Sequence, residues 1–186
     1  MYEKEKEKFF ESLKTFTDSL SSKLIHDNQW TIRGFIDIFK NIYSLTTDSK
    51  VLSKILELHL LPELLSFSEV IDYKIEPAEK QNWYPDFTFI SNKNNDIKFA
   101  VDLKTTYRNE KRPDFCNGFT LGSHGEYFSN RNSAKNIQYP YSHYFCIGII
   151  YSRNILQSYD VKTYSSIDSI ENIPAIGDFL KRLIIL

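Results

Sequence analysis

The chain has only two cysteines among its 186 residues, Cys116 and Cys146. They are too few and too far apart for a zinc cluster, and a reducing compartment keeps them as thiols, so we interpret both as structural. Long apolar runs are missing as well. No stretch reaches the roughly 18 residues of a membrane span, and the N-terminal MYEKEKEKFFESLK alternates charges where a secretion signal needs an apolar segment. We therefore expect a cytoplasmic protein with no membrane partner.

An excess of either charge is also missing, because 23 Lys and Arg residues stand against 24 Asp and Glu. This balance argues against a protein that coats nucleic acid by bulk attraction, but it permits a local basic stripe. Within residues 98–112, five basic side chains stand against Asp102 and Glu110: Lys98, Lys104, Arg108, Lys111 and Arg112. Such a stripe is usually solvated surface, but beside a metal site it predicts contacts with a phosphate backbone.

Helical patterns occupy the first third of the chain. Residues 4–26 carry apolar side chains at steps of three or four, which predicts an amphipathic helix: Phe9, Leu13, Phe16, Leu20 and Leu24. The segment RGFIDIFKNIYSL, residues 33–45, predicts a second helix. The capping residues TTDS precede a third helix, KVLSKILELHLL, which we expect Pro62 to end or kink.

From about residue 70 the period of the apolar pattern changes to two, which predicts four strands: YKIEPA, DFTFI, IKFAVDLKT and YFCIGIIYS. The short, Asn-rich SNKNND between the second and third strands predicts a hairpin. Residues 117–136 contain three of the six glycines and predict a loop. No repeat, linker or domain boundary interrupts the chain, so we expect one domain of α/β (α+β) class over residues 1–186.

The predicted hairpin brings charged side chains together. Side chains of IKFAVDLKT alternate between two faces, so Asp102 and Lys104 project together from the face opposite the apolar row. Opposed residues of an antiparallel hairpin have numbers with a constant sum, and the short turn sets that sum at about 187 or 188. Asp86 then lies opposite Val101 in one register or opposite Asp102 in the other. In the second register the two carboxylates share a face, with Cβ atoms roughly 5 Å apart.

Two unpartnered carboxylates that close repel each other, so a divalent cation between them is the economical explanation. Mg²⁺ accepts one or two carboxylates and leaves room for a phosphate oxygen, which fits phosphodiester hydrolysis. Lys104 is placed to stabilise the charge that develops on the scissile group. The alternative is structural, since Asp and Lys at alternate positions of a strand usually form a solvated ion pair.

These residues have the PD…(D/E)xK form of the restriction-endonuclease-like nucleases. Over residues from about 48 to 153 the chain resembles the EcoRV family of type II restriction endonucleases, through five motifs in the family's order: SKVLSKILEL, KQNWYPDFT, AVDLKTTY, FTLG and KNIQYP. The resemblance implies a restriction-endonuclease-like catalytic core over 48–153, with a mixed central β-sheet flanked by α-helices. A helical N-terminal or dimerisation segment would occupy 1–47, and a C-terminal segment would occupy 154–186.

The function implied by the resemblance is that of a site-specific deoxyribonuclease of a restriction system. Members of the family are homodimers that cut both strands of double-stranded DNA at a short palindromic site. They depend on Mg²⁺, for which Mn²⁺ can substitute. The resemblance makes Asp86 and Asp102 the metal-binding carboxylates and Lys104 the catalytic lysine. It also implies that Glu57 is a further acidic residue at the metal site, although a Glu within an apolar helix is by itself more often a surface residue.

Residues for DNA binding are predicted in three places. The family's glutamine-rich loop matches EKQNWYPDF, so Gln81 and Asn82 are candidates for the minor groove, and Lys80 stands where the family has a second Gln. The hydroxyls and the cation that follow the catalytic lysine are candidates for phosphate contacts: Thr105, Thr106, Tyr107 and Arg108. Ser123 and Lys135 are candidates of the same kind in the loop and in the KNIQYP motif.

The C-terminal part of the chain departs from the family pattern. The resemblance fades after about residue 155, and the longer region that reads base edges in the family has no visible counterpart before Leu186. We therefore expect a segment that is truncated relative to the family. Two alternatives stay open: a degenerate endonuclease homologue that binds DNA or a partner without specific cleavage, and a resolvase or repair nuclease of the same fold.

Overall fold

Two long helices lie in the described part of the chain, which in this computed structural model comprises residues 2–27, 29–32, 34–39, 41–44, 49–80, 83–109, 112–116, 118–119, 137, 139–151, 163–164 and 183–185. Helix α1 spans Tyr2–Leu24 and α2 spans Ser49–Val70. Each buries one stripe: Phe9, Leu13, Leu20 and Leu24 in α1, and Leu52, Leu56, Leu60 and Leu64 in α2. Steps of four, and of seven from Leu13 to Leu20, keep these side chains on one face, so the first and third predicted helices are confirmed. Neither helix is long and apolar enough to cross a membrane.

The strands described are β1 (Ile25–His26), β2 (Gln29–Trp30), β3 (Gly34–Ile36), β4 (Ile42–Ser44), β5 (Tyr73–Pro77), β6 (Phe87–Ser91), β7 (Lys98–Asn109), β8 (Arg112–Cys116), β9 (His143–Tyr151), β10 (Thr163–Tyr164) and β11 (Leu183–Ile185). The main sheet has the order β11-β9-β7-β6-β5, and β8 also pairs with β7. Strands β7 and β9 run parallel, while the other neighbours are antiparallel. The predicted strands are confirmed as β5, β6, β7 and β9, and the mixed sheet with flanking helices confirms the predicted fold class.

The main core lies between the two helices and one face of this sheet. Phe9 of α1 is at its centre, with ring centroids 4.6 to 6.3 Å from those of Phe67, Tyr73, Phe89, Phe99 and Phe145. Phe99 and Val101 of β7 are fully buried in this core. Because side chains alternate along a strand, Asp102 and Lys104 belong to the opposite face, as the sequence predicts.

The prediction of a second helix over residues 33–45 is wrong. The described residues form strands β3 and β4, which pair with Phe35 opposite Tyr43. Asp37 accounts for the difference, because its Oδ1 accepts hydrogen bonds from the backbone N–H groups of Phe39 and Asn41 at 2.8 and 2.9 Å. A carboxylate that binds its own following backbone closes a turn in competition with a helix.

Pro62 does not end α2, which continues for eight more residues to Val70. Proline in a helix interior removes one backbone hydrogen bond and costs about 3 kcal/mol. The buried leucines Leu60 and Leu64 on either side of it, together with Phe67, anchor the helix in the core. Their burial offsets the cost, so the expectation of a helix end at Pro62 is corrected.

Candidate active site

Asp86 and Asp102 face each other across the β6–β7 hairpin. The strands pair Phe87 with Val101 and Phe89 with Phe99, so the numbers of opposed residues add up to 188. One further step along this register places Asp86, which directly precedes β6, opposite Asp102. Of the two registers that the sequence allowed, the hairpin therefore adopts the one in which both carboxylates share a face.

Backbone contacts on two sides hold Asp86 in place. The N–H of Leu103 donates to Asp86 Oδ2 at 2.7 Å. The N–H of Ala78 donates to the carbonyl oxygen of Asp86 at 3.0 Å. The first bond ties the carboxylate to the strand that carries Asp102, and the second ties its backbone to the end of β5. The orientation of Asp86 is thus set by the sheet rather than by a flexible side-chain contact.

The two carboxyl groups lie in a poorly solvated environment. Asp102 is 5% exposed. Burial raises the pKa of Asp86 to about 6, repulsion by the charge of Asp102 adds to this shift, and the bond from Leu103 and the charge of Lys104 oppose it. A carboxyl group whose pKa is raised in this way holds its proton more tightly than an exposed carboxyl group does. The pair therefore favours a positive charge beside it.

Lys104 supplies one such charge. Its ammonium forms an ion pair with Oδ2 of Asp102 two residues earlier on the same face of β7. Burial alone lowers the pKa of Lys104, but attraction by Asp102 and then by Asp86 outweighs it, so the pKa is raised overall. Lys104 is therefore a cation that stays charged while it lies partly buried against the carboxylates.

Cys146 is the neighbour of Asp102 on the parallel strand β9. Burial, followed by repulsion from Asp102, raises the pKa of its thiol to about 11. Both Cys116 and Cys146 are free thiols, as the sequence predicts. A thiol that stays protonated is a poor nucleophile and a poor metal ligand, which agrees with a structural role for Cys146.

A cluster of tyrosines covers the sheet face on which the carboxylates lie. This tyrosine cluster consists of Tyr84, Tyr139, Tyr141 and Tyr144, packed with Ile137 and with Ala100 of β7. Tyr141 and Thr88 share a buried hydroxyl–hydroxyl hydrogen bond of 2.9 Å. This bond holds the segment around Tyr141 against β6, on the face of the sheet that carries Asp102.

A cleft of about 450 Å³ adjoins Asp86. This side cleft lies between the N-terminal half of α2 and the chain after β5, and the residues that line it include Lys50, Ser53, Lys54, Glu57, Lys80 and Asp86. The carboxylate of Glu57 is paired with Nζ of Lys54 at 2.5 Å. The fold thus brings Glu57 into the same cleft as Asp86, as the sequence prediction requires, while its role as a metal ligand stays a prediction.

The donor set for a metal ion consists of carboxylates. Among the described residues, no group of three or more His, Cys, Asp or Glu side chains is arranged to hold a metal. Asp86 and Asp102 nevertheless fit a hard cation, because Mg²⁺ needs only one or two carboxylates and completes its shell with water and phosphate oxygens. The raised pKa of Asp86 supports this fit, since a divalent cation would relieve the repulsion that contributes to it.

The candidate DNA-binding residues lie in different surroundings. The hydroxyl of Thr105 contacts that of Ser53, which joins β7 to α2. Thr106 is buried, and the ring of Tyr107 lies 6.2 Å from that of Tyr151. Lys80 lines the side cleft with its ammonium 4.6 Å above the ring centre of Trp83.

Other candidates cannot be placed at the site. Arg108 is half-buried on β7. Gln81, Asn82, Lys111, Ser123 and Lys135 lie outside the described residues, as does the side chain of Arg112. Their roles in DNA binding stay predictions.

Four contributors to the site were missed by sequence reasoning. Lys50, Ser53 and Lys54 precede Glu57 on α2, and the backbone N–H of Leu103 orients Asp86. The steps of three and four between Ser53, Lys54 and Glu57 place them on one helix face, which was a usable signal. A backbone donor has no sequence signature, so Leu103 could not have been identified.

The comparisons with known proteins agree with this geometry. A sequence model of a family described as "Restriction endonuclease EcoRV" matches residues 26–183. The type II restriction enzyme EcoRV of Escherichia coli is 37% identical over 164 residues, which cover 84% of this chain and 65% of that enzyme. The chain thus spans just under two thirds of the length of this relative. The matched range extends past both ends of 48–153, so the expectation that the resemblance fades after about residue 155 is corrected.

Proposed function

Because the chain belongs to the EcoRV restriction endonuclease family, we propose that it hydrolyses phosphodiester bonds in double-stranded DNA at a short palindromic site with the help of Mg²⁺, for which Mn²⁺ can substitute. The observation that carries the proposal is the β6–β7 register, in which Asp86 and Asp102 share a face beside Lys104. Carboxylates for a cation and an ammonium for a phosphate are the groups that hydrolysis of a phosphodiester needs.

Asp86 and Asp102 would hold the ion, and Glu57 would act from the side cleft. When bound, the ion polarises the phosphate and lowers the pKa of a water molecule. The chain supplies the rigidity that this chemistry needs, because the N–H of Leu103 orients Asp86 and because Asp102 is buried. Preorganised groups of this kind need no rearrangement as the reaction proceeds.

Lys104 acts on the substrate in this proposal. Its ammonium is charged, lies partly buried and is held by Asp102, so it can donate a hydrogen bond to a non-bridging oxygen of the scissile phosphate. Negative charge increases on the reacting group during hydrolysis, and a fixed cation in a poorly solvated site stabilises it more than an exposed one. The pairing with Asp102 places the cation before the DNA arrives.

We further propose that two copies of the chain act together. A palindrome has two equivalent strands, and a two-fold symmetric dimer presents one hydrolytic site to each of them. Sedimentation of the protein with and without a duplex tests this part: a monomer in both conditions contradicts the homodimer but leaves hydrolysis by each copy intact.

Cleavage of supercoiled plasmid tests the proposed reaction. We expect nicked and linear products with Mg²⁺ or Mn²⁺, none with EDTA, and fixed fragments from a longer DNA that contains several sites. Equal cleavage with and without EDTA removes the metal from the mechanism. Binding of duplex DNA without cleavage in any divalent cation supports the non-cutting homologue instead.

A further inference from the structure

The side cleft carries more positive charge than a metal site needs. Lys50, Lys54 and Lys80 line it together with the carboxylates of Glu57 and Asp86. Its volume of about 450 Å³ lies in the range of pockets that hold small molecules, which begins near 300 Å³. Two of these lysines come from α2 and one from the segment after β5, so the fold gathers them from separate parts of the chain.

Lys54 and Lys80 are both held in positions from which they can bind an anion. Nζ of Lys54 is 2.5 Å from Oε1 of Glu57, and the Lys54 side chain is 55% exposed. Pairs three residues apart on a helix are weak, and the ammonium of Lys54 is on the exposed side of this one, so an arriving anion can bind Lys54 at little cost. The ammonium of Lys80 rests on the ring of Trp83, and this contact uses a face of the ring and leaves N–H donors for a ligand.

The position of the cleft selects the anion. Asp86 faces Asp102 across the hairpin and also lines the side cleft. Each strand of B-DNA carries one phosphate per 3.4 Å of helix axis, so a strand with one phosphate at Asp86 and Asp102 must carry further phosphates close by. The side cleft lies beside Asp86 and contains lysines that such a phosphate can contact.

We propose that the side cleft is a subsite for a DNA backbone phosphate that neighbours the scissile one, bound by the ammonium groups of Lys54 and Lys80. The inference rests on the proposed function and adds a function for the cleft, namely holding the strand in register with the carboxylates. Phosphate contacts fix the position of a protein on a duplex and carry no base sequence. The subsite therefore affects affinity and placement of the cut strand for every DNA sequence.

The salt dependence of duplex binding tests the subsite. Binding is measured in EDTA, so that the DNA stays intact, for the full chain and for Lys54→Gln, Lys80→Gln and the double variant. The slope of log K against log salt is negative, and each phosphate contact that is lost on B-DNA makes it less steep by about 0.9. Because both lysines bind the same phosphate, we expect the slope of the double variant to be less steep by about one and that of each single variant to lie between the double variant and the unaltered chain. Circular dichroism checks that all variants fold.

Lys93→Gln is the matched control. It removes the same charge from an exposed lysine in the β6–β7 turn, where Lys93 lies 3.4 Å from Asp72, and it should leave the slope unchanged. If the slopes of the cleft variants equal that of Lys93→Gln, the subsite is overturned while DNA binding stands. If the unaltered chain binds no duplex even at low salt, the proposed function and the subsite fail together.

Neutral linkages in the DNA identify the contacted phosphate. Duplexes with a single methylphosphonate, placed in turn at each linkage near the cut, are titrated with the unaltered chain and with Lys54→Gln. At the contacted linkage we expect the methylphosphonate to weaken binding by the unaltered chain and to have little further effect on binding by the variant. If the loss of binding free energy caused by the methylphosphonate and the loss caused by Lys54→Gln are additive at every position, Lys54 does not bind a neighbouring phosphate.

Discussion

The backbone N–H of Leu103 donates a 2.7 Å hydrogen bond to Oδ2 of Asp86. One strand thus supplies both the second carboxylate, on Asp102, and the donor that orients the first. A shift of β6 against β7 by one residue would break this bond and turn the two carboxylates to opposite faces of the sheet. The integrity of the candidate site therefore depends on the register of a single hairpin.

Removing the charge of either carboxylate should slow cleavage strongly. Asp86→Asn and Asp102→Asn keep the size of each side chain but weaken the hold on a divalent cation, so we expect the cleavage rate to fall on the order of 10²-fold or more. Asp86→Asn should not lower the free energy of unfolding, because burial and Asp102 already disfavour the charged form of Asp86. Plasmid cleavage and urea unfolding measure the two effects.

Asp96→Asn in the hairpin turn is the control for these two variants, and it should cleave like the unaltered chain. Cleavage by Asp86→Asn at the unaltered rate would remove Asp86 from the reaction. A strong loss of stability in Asp86→Asn would contradict the repulsion between the two carboxyl groups.

Lys104→Gln should separate binding from cleavage. We expect the single-turnover rate to fall about 10²- to 10³-fold, as when other electrostatic groups are removed from active sites. Duplex affinity should change only a few-fold, because one contact among many is lost. The free energy of unfolding should fall by about 1–3 kcal/mol, since Asp102 is left buried without its cation.

Lys74→Gln on the exposed side of β5 matches the loss of charge in Lys104→Gln. Quenched-flow cleavage and titration with a fluorescent duplex measure both variants. Loss of affinity and rate in equal proportion for Lys104→Gln would assign Lys104 to DNA binding alone.

Tyr141→Phe should lower stability without unfolding the chain. The variant keeps the ring and removes the hydrogen bond to Thr88, a loss of about 1 kcal/mol in the free energy of unfolding. Burial raises the pKa of Tyr141 in the folded chain to about 12 from an ordinary value of 10.0. The stability that the neutral phenol contributes is therefore complete below pH 10 and is lost as the pH rises towards 12.

The difference between the unaltered chain and Tyr141→Phe should accordingly shrink above pH 10. Urea unfolding at pH 8 and pH 11 checks this, with Tyr2→Phe at the exposed start of α1 as a control. A difference that is constant over both pH values would show that the hydroxyl of Tyr141 is not buried in the folded chain.

Pro62→Ala should stabilise the protein. The alanine restores a backbone donor to the interior of α2 and removes the clash of the proline ring, so the free energy of unfolding should rise by about 1–3 kcal/mol. Pro62 is exposed, so no core contact is lost. Thermal unfolding measures the shift, and an unchanged or lower midpoint would show that α2 is already adapted to the proline.

Local patterns in the sequence determined much of the fold and of the site. The steps of three and four in α1 and α2, and the change to a period of two after residue 70, predicted elements that are present. Alternation along β7 and the short SNKNND turn narrowed the hairpin to two registers, one of which places Asp86 opposite Asp102. Such features depend on neighbours within a few residues, and local backbone geometry is enough to predict them.

Contacts between distant parts of the chain decided the rest. Residues 33–45 have apolar spacing that suits a helix, but Asp37 closes a turn and the flanking residues pair as strands. Ala100, on the same face of β7 as Asp102, packs with tyrosines about 40 residues later in the chain. The side cleft joins α2 to the segment after β5. Periodicity reports which face of an element is apolar, whereas packing decides what covers the polar face and which charges meet there.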